Sequence, residues 1–276
     1  MGHFQKSRGA SQSAAHQTSN KNHQTHHWNT TMKNSNMLIA QVCAVFGFTS
    51  AAMAEGNWTI GFGLGTETEL YQDDDTSLSG FPFIAYDTET FHIGFDGLAY
   101  KVVNTSRFGF NLNLSPRGGP DFPDTALFQG LDRDTAIEIG FSARQTFAND
   151  VYVQAAFLHD VSSAHEGYEA QAHLGTSFSS GSVNFDASVG VRYRNDDMNA
   201  YLVGVSGAEA NGSRSAYTPG STLSPLAQFS ATVPVSDRAA VVGSLSYERF
   251  GGSYDNSPLT KKGSQASAGV AIIYKF

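Results

Sequence analysis

Cysteine is nearly absent from this 276-residue chain: Cys43 is the only one. It lies inside an apolar run, Met37 to Thr49, that follows Lys33 and precedes Ala52-Met53-Ala54. A basic flank, a short apolar stretch and an A-x-A site together describe an export signal, cleaved after Ala54 to leave Glu55 first. Residues 32–54 are therefore the signal and 55–276 the mature chain. The mature chain then has no thiol, which excludes disulfides, thiolate chemistry and cysteine-ligated metal. Basic residues are also scarce, 17 against 25 acidic, and Lys6, Arg8, Lys21 and Lys33 leave with residues 1–54, which carry no acid. That balance argues against nucleic acid as a partner. No run of about 20 apolar residues follows Ala54, so no transmembrane helix is expected. Residues 1–31 are polar, rich in His, Ser and Asn, and lack hydrophobic period; they read as a disordered prefix, or as sequence upstream of a true start at Met32. His23, His26 and His27 within it are more simply prefix residues than metal ligands.

What the mature chain has in abundance is alternation. In the last segment Ser264, Ala266, Ala268, Val270, Ile272, Tyr274 and Phe276 share one face, and Gln265, Ser267, Gly269, Ala271, Ile273 and Lys275 the other. Period two is the mark of a strand with two different faces. The same pattern recurs at Trp58–Leu64, Phe108–Ser115, Thr135–Arg144, Tyr168–Leu174 and Val183–Arg194, with further strands near 151–160, 225–235 and 239–249. A soluble sandwich also alternates. Here, however, the second face holds Gly, Ser, Asn and scattered charge rather than long Lys and Glu. Connections alternate too: Asn104-Thr105, Ala148-Asn149-Asp150, Ser180-Gly181 and Ser236-Asp237 are tight, whereas 66–79, 116–132, 195–223 and 251–262 are long. Short turns at one end and long loops at the other predict an all-β fold, a transmembrane antiparallel β-barrel of the bacterial outer membrane. A closed barrel is also the one sheet that leaves no edge in hydrocarbon.

Strand number turns on one dipeptide. Phe91, Ile93 and Phe95 have one parity, and Leu98, Tyr100 and Val102 the other. The switch falls at Asp96-Gly97. As a hairpin turn it gives 12 strands; as a bulge, which also flips parity, it gives 10. The turn reading is preferred. Either barrel is narrow enough for side chains to fill much of the lumen.

Several segments carry a family resemblance over nearly the whole mature chain. Gly130-Leu131-Asp132 ahead of a strand opening at Arg133, Tyr201-Leu202-Val203-Gly204-Val205-Ser206, Ala208-Glu209-Ala210, Tyr217-Thr218-Pro219-Gly220 and Asn256-Ser257-Pro258-Leu259 occur in order before a Tyr-x-Phe terminus. In this the chain resembles the MipA/OmpV family of MltA-interacting outer-membrane proteins. Pro116-Arg117-Gly118-Gly119 departs from that family's Gly-Arg loop. The resemblance implies a non-enzymatic barrel without cofactor, set in outer-membrane lipid and lipopolysaccharide. One role it implies is a scaffold joining a lytic murein transglycosylase to a penicillin-binding protein during wall growth. Other members are linked to osmotic response, adhesion and antibiotic sensitivity. It also makes Val270, Ile272, Tyr274 and Phe276 the address read by the barrel-assembly machinery.

Other constellations compete with this reading. Inward-facing Glu138, Arg144, Glu169, His173, Asp186, Arg192 and Arg194 either line a small-solute pore or pair off as a polar plug, and charges away from bulk water need partners. His159, at an outward rim position with Ser162 and Ser163 nearby, is the weak case for an outer-membrane phospholipase; no third member of a triad is evident. Gly204-Val205-Ser206-Gly207-Ala208 fails the G-x-S-x-G pattern at its last position and lacks the strand–turn–helix context. Asp73-Asp74-Asp75 with Glu67 and Glu69 could hold a divalent cation through oxygen ligands but lacks an EF-hand's spacing, so a solvated acidic loop is the simpler expectation.

Overall fold

The computed structural model describes residues 56–276 apart from 75 and 77. The processing site Ala54/Glu55, the signal 32–54, the prefix 1–31 and Asp75 lie outside the described residues. Twelve strands close on themselves in sequence order: β1 (Asn57–Glu67), β2 (Leu78–Asp87), β3 (Phe91–Gly94), β4 (Gly97–Asn104), β5 (Phe108–Arg117), β6 (Ala136–Thr146), β7 (Val151–Asp160), β8 (Tyr168–Ser180), β9 (Val183–Arg194), β10 (Thr222–Pro234), β11 (Ala239–Arg249) and β12 (Ser264–Lys275). Every neighbouring pair is antiparallel, and β12 closes the barrel on β1 from Thr59↔Lys275 to Glu67↔Ser267.

The period-two alternation becomes two surfaces. Trp58, Ile60, Phe62 and Leu64 of β1, Ile137, Ile139 and Phe141 of β6, and Val270, Ile272 and Tyr274 of β12 are exposed on the outside. A soluble protein would bury such a belt; a lipid-facing barrel must display it. Asp96 and Gly97 make the turn that gives twelve strands rather than ten. Gly97 sits at φ 118°, a conformation glycine adopts without penalty, and a Cβ there would lie 2.2 Å from the Leu114 carbonyl oxygen.

β2 inverts the usual pattern. Phe81, Phe83 and Ala85 point into the lumen and are buried, while Gly80 and Pro82 alternate with Leu78 and Ile84 outside. Phe83 and Ala85 pack on Val242 and Ile273. The Phe81 ring lies over Gly63, where a Cβ would come within 2.3 Å of it. The inner face of β2 is thus apolar from Phe81 to Ala85, while buried charge stands on β6, β8, β9 and β11.

Between strands, the turns at 88–90, 105–107, 147–150, 181–182 and 235–238 are short, and all lie at the end that holds both edges of the β1–β12 closure near Trp58 and Lys275. At the other end the connections 68–77, 118–135, 195–221 and 250–263 are long and fold over the barrel mouth. They contribute two short helices, α1 (Asp196–Val203) and α2 (Gly252–Asp255). Asn195 caps α1 by accepting from the Met198 N–H at 3.1 Å. β6 begins at Ala136, not at Arg133; Arg133 is drawn out of the strand into the loops.

Candidate functional site: a capped and ion-paired lumen

The long loops bury a core of their own. Leu259 is 0 % exposed and packs with Phe128 and Val205. Leu70, Val203, Phe250 and Tyr254 form an adjoining cluster. Hydrogen bonds tie these loops together where the apolar contacts alone would leave backbone groups unmet. Ser257 Oγ donates to the Val203 carbonyl at 2.7 Å, and Tyr201 Oη donates to the Asp134 carbonyl at 2.7 Å. Val205 and Tyr217 exchange both backbone bonds. Arg133 fans out to the carbonyls of Tyr201 and Gly204 and to Glu209 Oε1 at 2.6 Å. Burial alone would raise the Glu209 pKa, but bonds from Arg133 and the Ser206 N–H outweigh it and hold the carboxyl down at about 2. Arg214 reaches the carbonyls of Leu127, Gln129 and Glu209.

Beneath this cap lies a belt of charge. Glu138, 1 % exposed, is bonded by Arg117 Nε at 2.8 Å and faces His165 Nε2 at 3.3 Å. Glu169 is approached by Arg194 Nε at 2.8 Å, Arg192 Nε at 3.4 Å and Arg117 Nη2 at 3.7 Å. Glu248 receives Arg192 Nη1 and Arg194 Nη1, each at 2.5 Å. Three guanidinium groups thus meet three carboxylates, and the belt is formally neutral. Arg194 is 2 % exposed, its guanidinium carbon 5.4 Å from the centre of the Phe250 ring, so the belt and the cap are in contact.

The seven inward residues singled out from the sequence fall into two groups. Glu138, Glu169, Arg192 and Arg194 join the belt. Arg144 and Asp186 lie lower, 3.6 Å apart, with Tyr152 Oη and Ser177 Oγ each donating to Asp186 at 2.7 Å. His173 stands between them, 3.3 Å from Gln171 Oε1, which itself accepts from Arg192. Two belt members escaped the sequence reading. Arg117 falls within the expected loop 116–132 but ends β5 in the structure, continuing the inward parity of Asn113 and Ser115. Glu248 shares the inward parity of Val242, Ser244 and Ser246.

The enzyme candidates are held apart. Ser162 Oγ donates to Asp160 Oδ1 at 2.6 Å and accepts from the Ile137 N–H, while His159 Nδ1 contacts the Gly167 carbonyl at 3.1 Å. No hydrogen bond joins His159 to Ser162 or Ser163 among the described residues. Ser206 accepts from the Glu209 N–H within the cap. In the acidic loop, Asp73 Oδ2 accepts from Thr125 and Glu69 from Lys261.

A closed barrel with a lipid-facing apolar belt, short turns at one end and folded loops at the other is an outer-membrane β-barrel protein. The chain belongs to the family described as MltA-interacting protein MipA, which matches residues 60–276. It is 28% identical over 226 residues to the outer membrane protein Omp26La of Vibrio anguillarum, covering 80% of this chain and 88% of that one. It is 25% identical over 244 residues to the MltA-interacting protein of Escherichia coli (strain K12), covering 87% and 98%. Among solved structures, the COG4313 outer membrane channel from Pseudomonas putida F1 aligns with a TM-score of 0.42 at 9% identity, over 83% of this chain and 98% of that one. The relatives are named as outer-membrane and interacting proteins, not as enzymes. The segments that carried the family resemblance, around Gly130, Tyr201, Glu209, Tyr217 and Ser257, converge on the cap.

Proposed function

We propose that this protein is a non-conducting outer-membrane scaffold that links a murein transglycosylase to a penicillin-binding protein at the periplasmic face. The observation that carries this reading is the double closure of the outer mouth. A solute would have to displace both the buried cap core around Leu259 and a belt in which every carboxylate has a guanidinium partner within 4 Å. Opening that belt leaves desolvated charge, which costs several kcal/mol per ion. The name of the Escherichia coli relative supports the partner class. Contact with periplasmic enzymes would fall on the short turns, where Glu89, Arg107, Asp150, Asp237 and Arg238 are exposed.

Two measurements test this. Planar-bilayer recording of the purified barrel is expected to show no steady conductance, and stable open channels would return the small-solute channel as the better reading. Co-purification from solubilised outer membrane is expected to recover a murein hydrolase and a murein synthase together. Charge reversal at Arg107 and Arg238 should weaken that recovery while leaving the barrel folded, and an unchanged recovery would remove the turns as the docking face.

A further inference from the structure

The lipid-facing wall is not smooth. β10, β11, β12 and β1 are paired without a break, so outward side chains alone shape its surface there. One row across the wall reads Ala231, Gly243 and Val270, and the next row toward the mouth reads Phe229, Leu245 and Ala268. Each row sets small residues beside large ones. Gly243 is the low point, where a Cβ would meet nothing within 4 Å. The result is an apolar groove of about 510 Å³ that continues over β1 to Leu78. Clefts that take ligands run from roughly 300 to 1,000 Å³. The ladders beneath the groove are complete, so its floor needs no hydrogen bonds and hydrocarbon can fill it.

The groove lies in the outer half of the wall, since Leu78 opens β2 at the mouth end. β11 runs on from it to the mouth with Leu245, Tyr247 and Arg249 on one outward parity. Arg249 is four residues beyond Leu245, about 13 Å along the strand. Half of a bilayer's hydrocarbon is about 15 Å deep. A chain lying in the groove therefore places its headgroup near Arg249. The Arg249 guanidinium leans over the start of β12, where Nη1 donates to the Gly263 carbonyl.

Charge above the groove differs from the rest of the mouth. Among the described residues, the exposed basic side chains at that end are Arg249, Lys261 and Lys262, all at the connection between β11 and β12. Exposed acids are spread over the other loops, at Asp73, Asp121, Asp134, Glu166 and Asp196. Asp255 is the exposed acid inside the basic sector. It meets Arg249 at 2.7 Å, with the two side chains 41 % and 45 % exposed. Lys261 meets Glu69, and among the described residues Lys262 makes no ion pair. Exposed pairs are screened and gain little from holding one geometry. A guanidinium binds phosphate oxygens in a two-pronged fork. Phosphate is repelled by the acidic loops elsewhere round the mouth and attracted at this sector.

A second copy of the chain fits this wall less well. A two-fold contact presents the same patch on both copies, so three cations would stand beside the same three. Cations spread over the ends of β11 and β12 suit a headgroup with more than one phosphate. We propose that the groove is a binding site for a phosphorylated glycolipid of the outer leaflet, with an acyl chain over Gly243 and Ala268 and a phosphate held by Arg249 and Lys262.

The test is native mass spectrometry of lipid bound to the barrel. The protein is purified from outer membrane, stripped of lipid by prolonged detergent washing and shown to be folded by heat-modifiable gel migration. It is then titrated with the phosphorylated, acylated disaccharide that anchors lipopolysaccharide. Wild type is expected to hold one copy. Gly243→Leu, which fills the groove, and Arg249→Gln with Lys262→Gln, which removes the cations, should each weaken binding about tenfold, as loss of one charge-assisted bond or its equivalent allows. Ala231→Leu stands in if Gly243→Leu does not fold. Ala155→Leu is the control. It faces outward on β7, in a row of small residues with Ala143 and Ala172, and should bind as wild type does. The disaccharide without its phosphates should bind wild type no better than the phosphorylated form binds the Arg249, Lys262 variant. Four results would overturn the site: equal binding by wild type and both kinds of variant, binding indifferent to the phosphates, phosphatidylglycerol competing as well as the disaccharide, or a dimer that Gly243→Leu abolishes.

Discussion

Replacing Arg194 by Met keeps the length of a side chain that is 2 % exposed and removes its charge. The belt then holds three carboxylates and two guanidinium groups. Glu169 loses its nearest partner and keeps Arg192 at 3.4 Å and Arg117 at 3.7 Å; Glu248 keeps only Arg192 among the belt arginines. Breaking a buried pair by removing one partner costs about 3–5 kcal/mol, because the remaining charge stays desolvated. Since Glu169 retains two arginines and Glu248 one, we expect the lower end, about 3 kcal/mol. Adding Glu248→Gln restores two against two and should recover part of the loss, with a coupling of about 1–3 kcal/mol. Lys261→Met is the comparison: its pair with Glu69 lies at the loop surface, where water and salt screen it and its loss should change stability little.

The assay is urea unfolding of the barrel in vesicles, with the folded fraction read from gel migration without heating. Arg194→Met should lower the unfolding free energy well below that of Lys261→Met, and the double variant should lie between Arg194→Met and wild type. If Arg194→Met and Lys261→Met shift stability equally, or if Glu248→Gln makes matters worse in the Arg194→Met background, the belt is not the paired, desolvated cluster its geometry describes.

Four further outcomes follow from single features. Glu209 is held at about 2 in the fold against an ordinary 4.5, so its contribution to the cap is present above about pH 4.5 and lost as pH falls toward 2; proteolytic nicking of loop 195–221 should rise over that window, and Glu209→Gln should raise nicking at neutral pH and flatten the dependence. Gly140→Ala should impair folding far more than Gly243→Ala, because a Cβ at 140 would sit 1.8 Å from the Phe157 carbonyl oxygen and one at 243 meets nothing within 4 Å; the folded fraction after refolding decides it. Deleting Phe276 removes a bond from its N–H to the Trp58 carbonyl (2.9 Å) and a ring that is 61 % exposed, worth less than the roughly 1.5–3 kcal/mol of full burial, so loss of outer-membrane assembly much beyond that stability change would mark Phe276 as a recognised address, whereas wild-type levels of folded barrel would leave it an interfacial anchor. Mass spectrometry of the outer-membrane form should find Glu55 first, and retention of residues 1–54 would refute the proposed cleavage.

The lipid-facing wall was legible because strand alternation is a property of the backbone. Ile272 and Tyr274 face outward by parity alone, whatever they touch. β2 was harder to read, since its aromatics face inward over Gly63 and its outer face contains Gly80 and Pro82; nothing local distinguishes that from a loop leading into Phe91. The Asp96-Gly97 turn carried the strand count because a positive φ needs a residue that accepts it, and that requirement is visible in two letters. Inward charge was legible one strand at a time, but pairing was not. Arg117 and Glu169, or Arg194 and Glu248, are brought together by barrel closure, and their separation in sequence holds no period to detect.

The cap shows why family resemblance reached further than periodicity did. Leu259 packs on Phe128 and Val205, and Ser257 bonds Val203, across loops with no repeating pattern. Each of those positions needs a particular shape or donor, because a buried group without its partner costs about 1–3 kcal/mol. A wall position facing lipid needs only to be apolar. The specific wording of the sequence therefore gathers at the mouth, in Gly-Leu, Tyr-Leu-Val-Gly-Val-Ser and Asn-Ser-Pro-Leu segments, while the wall is written in alternation alone. Short-turn residues such as Arg107 and Arg238 are exposed and fold no core, so no packing constraint fixes their identity.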